Sequence, residues 1–522
     1  MIATPWLRLT ALAVLAFAGS TLVLILLRPL LPIDETRYLT VAWEMWLGGS
    51  KIVPHLNGEV YSHKPPMLFW LINLVWLATG PAELAARLVA PAFGAISVVL
   101  TAVLARRLWP EDPSRAGFAA LTLATSGVFL AFGSATMFDT MLTVATLVAV
   151  MAIWVMSMRP GLGVAIWLGT AIAFGVLAKG PVIFVHMLPV AALMPVWAVG
   201  ETRSPLRRYY AHLGLSLGIA AVLVSLWLVP VYFVGDKAYL YEITWKQSAG
   251  RAVDSFAHKR PVWFFVALMP LFLWPWGWRS AAIAGQRTIR LPSAGSDRFL
   301  LVWLVSAVAA FSVISGKQLH YLVPEIAALA LIVSGILPVG EPRWARVLSV
   351  LPSLGLALAG ALAFAGVVTL SGKDQIEIGL IELVAATAMA GALLVLSLAF
   401  RNTLVLFSLV GPVSLIALET ILDSTLERQN DPAPLALALA ERQTGGIATT
   451  NRNYAGQFTF SARLTTPITK LAAGKPLEDW IDTHPAGALI ALEAVANPRL
   501  KPAGTYPLQR KDWFLYDVVA PD

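Results

Sequence analysis

The chain has 522 residues, 58 % of them hydrophobic and only 13 % charged, with a net charge of +8. A soluble domain carries about 25 % charged residues, and a soluble fold lacks the interior to hide such an apolar excess, so the composition excludes one and makes the bilayer the solvent. The positive charge then belongs with membrane topology and anionic headgroups rather than nucleic acid, and the lack of cysteine excludes disulfides, thiolate metal sites and a cysteine nucleophile.

In chain order, the first apolar run follows Arg8. Ala16-Phe17-Ala18 looks like a cleavage site, but the run continues to about Leu31. That is longer than a signal-peptide core of roughly 7–15 residues, so the segment is expected to remain as a first helix. Further runs fall at about 82–105, 116–133, 137–157, 162–178, 181–199, 211–234, 262–278, 299–314, 320–338, 345–370, 379–400 and 403–422. Together they predict about thirteen spans in a mainly α, polytopic membrane domain over residues 1–422.

Alternate connections carry Arg106, Arg107 and Arg115, then Arg159, then Arg203, Arg207 and Arg208, then Arg279 to Arg298, then Arg343 and Arg346, then Arg401. By the bias of basic residues to the cytoplasmic side, these loops and the N-terminus are expected to be cytoplasmic. The long loops at about 32–81 and 235–261, and the polar tail 423–522, then face outward. The tail reads as a small α/β domain. Strand-like pieces run from Gly487 to Leu492 and from Trp513 to Val519, and helical stretches lie near Leu435–Gln443 and Pro476–Thr483.

Asp34-Glu35-Thr36-Arg37-Tyr38 follows the first span. Tyr38, Val41, Ala42, Met45 and Trp46 recur at helical spacing, which predicts an amphipathic helix lying at the outer interface. The plain role of Asp34 is to cap that helix, and that of Glu35 is to complement its dipole. Further on, His63-Lys64 precedes Pro65-Pro66. Proline restricts itself and the residue before it, so the pair is held rigidly. Lys64 is a point charge suited to phosphate, or else a snorkelling interfacial lysine. Arg87 and Lys179 lie at predicted outer ends of spans, where interfacial placement is sufficient to explain them.

Asp34-Glu35, the helix behind it, and Tyr61-x-x-Lys64-Pro65-Pro66 running into Phe69-Trp70 resemble the bacterial aminoarabinose transferase and protein O-mannosyltransferase group, membrane glycosyltransferases of the GT-C fold. The resemblance continues in order through Arg87-Leu88, Asp139, Leu177-Ala178-Lys179-Gly180-Pro181, His258 ahead of Pro261-Val262-Trp263, and Ser315-Gly316-Lys317-Gln318-Leu319-His320-Tyr321. It implies a polyprenyl-phosphate sugar donor at the outer leaflet of the bacterial inner membrane, an envelope acceptor such as lipid A, and a monomer. It also implies catalytic roles for Asp34, Glu35 and Asp139, and donor-phosphate contacts from Arg37, Lys64, Lys317, Tyr321 and Arg87. The group places Glu directly before the motif lysine, where it binds a divalent metal with a downstream His. Here that position is His63, leaving His63 and His258 as candidate ligands of a cation such as Zn²⁺. The alternatives are a lipid or sugar transporter, which would carry charged groups near the bilayer midplane, and an envelope scaffold acting through the tail.

Overall fold

The computed structural model describes residues 5–199, 203–234, 237–244, 260–279, 295–335, 341–365, 379–399, 403–422, 430–472, 474–509 and 511–519. Each of the thirteen apolar runs contains helix. The long ones are α1 (Pro5–Leu27), α4–α5 (Glu83–Arg87 and Val89–Leu108), α8 (Asp139–Met158), α9 (Leu162–Lys179), α11 (Leu206–Val234), α12 (Gly295–Val313), α14 (Arg343–Phe364), α15 (Leu380–Ala399) and α16 (Thr403–Leu422). Among the described residues these nine are long and apolar enough to cross a membrane, or ten with α6 (Ser114–Ala124) and α7 (Gly127–Gly133) taken as one span bent by 62°.

The expected thirteen full spans are therefore not thirteen long helices. The run at 183–197 comprises α10 (Ile183–Ala192) and the short helix Met194–Trp197, with prolines at 189 and 195. The run at 264–278 is cut at Pro270 and Pro275. The run at 319–333 turns at Pro324 into α13 (Val323–Val333). Proline removes a helical donor and clashes with the preceding turn, which accounts for the breaks.

The bundle is built around α8, which packs on α5, α9, α10 and α13. Its apolar stretch is 72 % buried, against 17 % for the lipid-facing α11. α8 is close-fitting because its inward positions are small or back-bonded. Ala145, Ala149 and Ala152 are buried, and the Thr143 hydroxyl donates to the Asp139 carbonyl. Small residues also decide how α1 enters. The Phe17 ring lies against Gly94 of α5 and Gly133 of α7, where an added Cβ would sit 2.4 and 2.7 Å from it. Close approach over small residues is the usual source of helix cohesion in lipid, where there is no hydrophobic drive between helices.

After α1, α2 (Asp34–Trp46) is followed by a hairpin of β1 (His55–Leu56) and β2 (Glu59–Val60), then α3 (Met67–Thr79). The hairpin turns on Asn57-Gly58, both at positive φ, as a tight type I′ turn requires. The tail forms a five-stranded sheet in the order β4-β3-β5-β7-β6. β3 (Ile447–Thr449) pairs in parallel with β4 (Thr469–Lys470) and β5 (Ala488–Ala491), while β7 (Lys511–Val518) runs antiparallel to β5 and to β6 (Leu500–Leu508). α17 (Ala433–Ala440) and α18 (Lys475–Thr483) complete it. The two expected strands and two expected helices are present. β6 escapes sequence reading because it carries Pro502 and Pro507, which only an edge strand tolerates.

α2 departs from the expected interfacial helix, since most of it is buried, including Thr36, Tyr38, Thr40 and Trp43. The tail covers it. Thr40 Oγ1 donates to the Gly456 carbonyl (2.7 Å) and accepts from Phe460 N (3.3 Å), and Trp43 Nε1 donates to the Leu464 carbonyl (2.8 Å). Phe460 stacks flat on Trp76 at 5.6 Å. Asn57 donates to the Ile468 carbonyl (2.9 Å) and accepts from Ile468 N (2.8 Å), while Lys470 pairs with Glu59 at 2.8 Å.

Asn57→Ala removes both bonds to Ile468 and puts a Cβ-bearing residue without a local hydrogen bond at positive φ, a loss of about 2–4 kcal/mol. Asn57→Gly keeps the turn and should lose about 1 kcal/mol less. Limited proteolysis in micelles should cut the tail fastest in the alanine variant, then the glycine variant, then the natural protein. Equal resistance in all three would rule out this docking.

Candidate active site

The site is assembled from the end of α1, the long connection from α1 to α3, the start of α8, the end of α9 and the turn before α13. Its anchor is Arg28, one residue past α1. The Arg28 guanidinium pairs with Glu35 (3.4 Å) and donates to the Ser134 carbonyl (2.8 Å), and both side chains are buried. Glu35 also accepts from Leu31 N (3.0 Å) and Thr136 N (2.6 Å). Burial pushes the Glu35 carboxyl up, but the Arg28 and Arg87 charges and the two backbone N–H groups outweigh it and hold its pKa below the ordinary value of 4.5. Glu35 therefore ties the first loop to the segment leading into α8. Asp34 has no capping role, because it is the first residue of α2 and the capping position is Ile33.

Asp34 stays accessible, its side chain 52 % exposed, with Arg37 at 3.8 Å. The Tyr38 hydroxyl donates to it at 3.2 Å. The Tyr38 ring stands edge-on to Phe138 (4.9 Å), which also meets Phe69 (5.8 Å). Lys64 Nζ lies over the Phe138 ring, 5.7 Å from its centre. Tyr61 packs on Phe69 and beside His63.

Asp139, next to Phe138, is buried and its Oδ1 accepts from Lys179 Nζ at 2.5 Å. Lys64 and His320 also bear electrostatically on Asp139. Lys179 Nζ is 6.0 Å from the ring centre of Tyr321, which packs against His320 (5.0 Å) and Phe311 (5.6 Å). Asp139 Oδ2 is buried without a hydrogen-bond partner, and such an atom is expensive unless something supplies a donor. The chain of contacts thus runs from Asp34 through Tyr38, Phe138 and Lys64 to Asp139, Lys179 and Tyr321.

Two candidates turn elsewhere. Arg87 is buried, pairs with Glu83 (3.2 Å) and donates to the carbonyls of Arg28 (3.1 Å) and Pro29 (3.3 Å), so it braces the end of α1. Lys317 is buried and donates to the carbonyls of Ile314 (2.5 Å) and Arg260 (3.0 Å). Both occupy backbone acceptors that would otherwise be unmet. His258 lies outside the described residues, and among those described no group of three or more His, Asp or Glu gathers around a metal position.

Sequence reading missed Arg28 and the partnership of Lys179 with Asp139. The signal for Arg28 was a charge at the last turn of an apolar run, which lipid tolerates only with a partner or at the interface. It also missed Glu325, buried with His186 (2.7 Å) and Trp303 Nε1 (3.3 Å). Both members of that pair sit near the starts of their helices, α13 and α10.

Residues 63–228 match the family model described as dolichyl-phosphate-mannose-protein mannosyltransferase. The chain is 30 % identical to an undecaprenyl phosphate-α-4-amino-4-deoxy-L-arabinose arabinosyl transferase of Edwardsiella ictaluri, over 58 % of this chain and 54 % of that one. It is 31 % identical to the protein of the same name from Pseudomonas paraeruginosa, over 64 % and 60 %. The chain thus spans between half and two thirds of the length of these relatives. The crystal structure of ArnT from Cupriavidus metallidurans bound to undecaprenyl phosphate superposes with a TM-score of 0.77 at 17 % identity, covering 100 % of both chains. That likeness establishes a shared fold.

Glu35→Gln leaves the buried Arg28 charge uncompensated, which costs about 3–5 kcal/mol. The lowered folded pKa of Glu35 means its stabilisation is complete above the ordinary carboxylate value of 4.5 and is lost as pH falls through the folded value. Unfolding of the natural protein in micelles should therefore show an acid limb below that value, and the limb should be shallower in Glu35→Gln. An identical acid limb in both would remove Glu35 from the account.

Proposed function

We propose that this chain is a member of the aminoarabinose and protein mannosyltransferase group and an integral membrane glycosyltransferase, a reading that its ordered motifs support. It moves an aminoarabinose- or hexose-like sugar from a polyprenyl (undecaprenyl) phosphate to an envelope acceptor such as lipid A and releases polyprenyl phosphate. It works as a monomer in the bacterial inner membrane, with the N-terminus cytoplasmic and the site periplasmic. The observation that carries this reading is the meeting of Lys64, Lys179 and Tyr321, from three distant segments, around Asp139 and beside the exposed Asp34.

In the transfer, an acceptor oxygen bonds to sugar C1 while the bond from C1 to the phosphate oxygen breaks. The electron pair leaves on the phosphate. Lys64, Arg37 and Lys179, with the Tyr321 hydroxyl, counter that developing charge, and losing one such contact typically lowers the rate by about 10²–10³. A hydroxyl acceptor gives its proton to Asp34. A phosphate acceptor is already ionised, and Asp34 then orients it. The unpartnered Oδ2 of Asp139 suits a hydroxyl of the transferred sugar. A divalent cation held by His63 and His258 would add neutralisation at the donor phosphate.

Asp34→Asn and Lys64→Ala should each lower transfer by at least about 10² in a folded variant. The assay supplies a polyprenyl-phosphate sugar and lipid A in detergent micelles, where a transporter would register nothing. Undiminished turnover in folded Asp34→Asn would sink the transferase reading.

A further inference from the structure

One buried ionisable pair lies outside the chain of contacts that runs from Asp34 to Tyr321. His186 of α10 and Glu325 of α13 have side chains 0 % and 1 % exposed. His186 Nδ1 is hydrogen-bonded to Glu325 Oε1 at 2.7 Å, and Trp303 Nε1 of α12 donates to the same oxygen at 3.3 Å. Three helices therefore converge on one carboxylate.

Stability is a poor explanation for such a pair. Taking ionisable groups out of water is repaid only when their remaining donors and acceptors are also met, and apolar side chains of similar size are often as stable or more so. Here His186 Nε2 and Glu325 Oε2 are both buried without a hydrogen-bond partner. A directional bond between two helices does fix their register, which an apolar contact leaves loose.

Register matters at this place. α10 follows Lys179 across the Gly180-Pro181 turn, and Glu325 lies one helical turn beyond Tyr321 in the chain. The rings close the circuit in space. Tyr321 packs on Phe311 at 5.6 Å, and Phe311 meets the His186 ring at 5.2 Å. Tyr321 is thus tied to Glu325 through the backbone and to His186 through one intervening ring. Lys179 Nζ lies 6.0 Å from the Tyr321 ring centre.

We infer that the His186–Glu325 pair is a positioning device for Tyr321. It locks α13 against α10 so that the Tyr321 hydroxyl is presented beside Lys179, where the leaving phosphate gains its charge. The inference rests on the transferase reading. Neither His186 nor Glu325 touches substrate; both act through Tyr321. An apolar pair would fill the same space but let α13 turn or slide, and the hydroxyl would then miss the developing charge.

The test uses the full chain in detergent micelles, with a polyprenyl-phosphate sugar and lipid A. A variant carrying His186→Leu and Glu325→Leu should melt at or above the temperature of the natural protein. Its kcat should nevertheless fall by about 10², while the KM for lipid A holds. Tyr321→Phe alone should lose a similar factor. Combined with the two leucines it should lose little more, about 10² where independent effects would give about 10⁴. Glu325→Gln, which keeps an acceptor for His186 and Trp303, should retain most of the rate. His186→Phe keeps a ring against Phe311 and removes the bond to Glu325. It should show the same fall in kcat, so the outcome does not hang on the folding of one variant. Natural kcat in the folded leucine variant would overturn the proposal. So would a lowered melting temperature at unchanged kcat, or losses that multiply in full with that of Tyr321→Phe. If the natural protein transfers no sugar, the transferase reading falls, and the same variants are compared for binding of undecaprenyl phosphate by native mass spectrometry. Losses of at least about tenfold that fail to multiply would uphold the positioning role. Losses that multiply, or no loss, would remove it.

Discussion

The buried pair of Arg28 and Glu35 is the constraint on which the candidate site depends. Removing two charges from water is expensive, and their attraction repays it only when the remaining donors and acceptors are also met. Here most of them are, by the carbonyl of Ser134 and the amides of Leu31 and Thr136. Those partners come from the end of α1, the start of α2 and the approach to α8, so one pair fixes three segments at once. Arg87 reinforces it by donating to the carbonyls of Arg28 and Pro29. The result places Asp34 and Tyr38 against Phe138, one residue from Asp139.

The second pair, Asp139 with Lys179, works differently. It leaves one carboxylate oxygen unmet and sets the lysine ammonium within 6.0 Å of the Tyr321 ring centre. A buried carboxylate oxygen without a donor, at a meeting of several loops, is a place where a ligand can supply one. Arg87 and Lys317 turn their charged groups to backbone carbonyls, whereas Lys64 lies over the Phe138 ring.

Much of this was legible in the chain. The apolar runs located the helices, and Asp34, Lys64, Asp139 and Tyr321 stood out by motif. Periodicity could not tell a full span from a proline-broken one, because the apolar count is the same in both. Nor could the stripe Tyr38, Val41, Ala42, Met45 and Trp46 say what covers it, since lipid headgroups and protein ask for similar residues. The cover proved to be Phe460 and its neighbours, about four hundred positions away. Arg28 went unremarked because a charge at the end of an apolar run is usually only a flank.

The long reach of that cover bears on how the molecule is made. Thr40 and Trp43 meet their partners 416 and 421 positions later, and Asn57 waits 411. A ribosome feeding the chain into the bilayer therefore delivers α2 and the hairpin long before the segment that covers them exists. Until the last hundred residues emerge, the tryptophan-rich surface of α2 and α3 has only membrane or chaperone to shelter it. Long-range closure of this kind is slow because loop entropy must be overcome before any contact forms. The finished site is accordingly a late event in biogenesis, and a nascent chain stalled before its tail would present an inserted bundle with α2 and α3 uncovered.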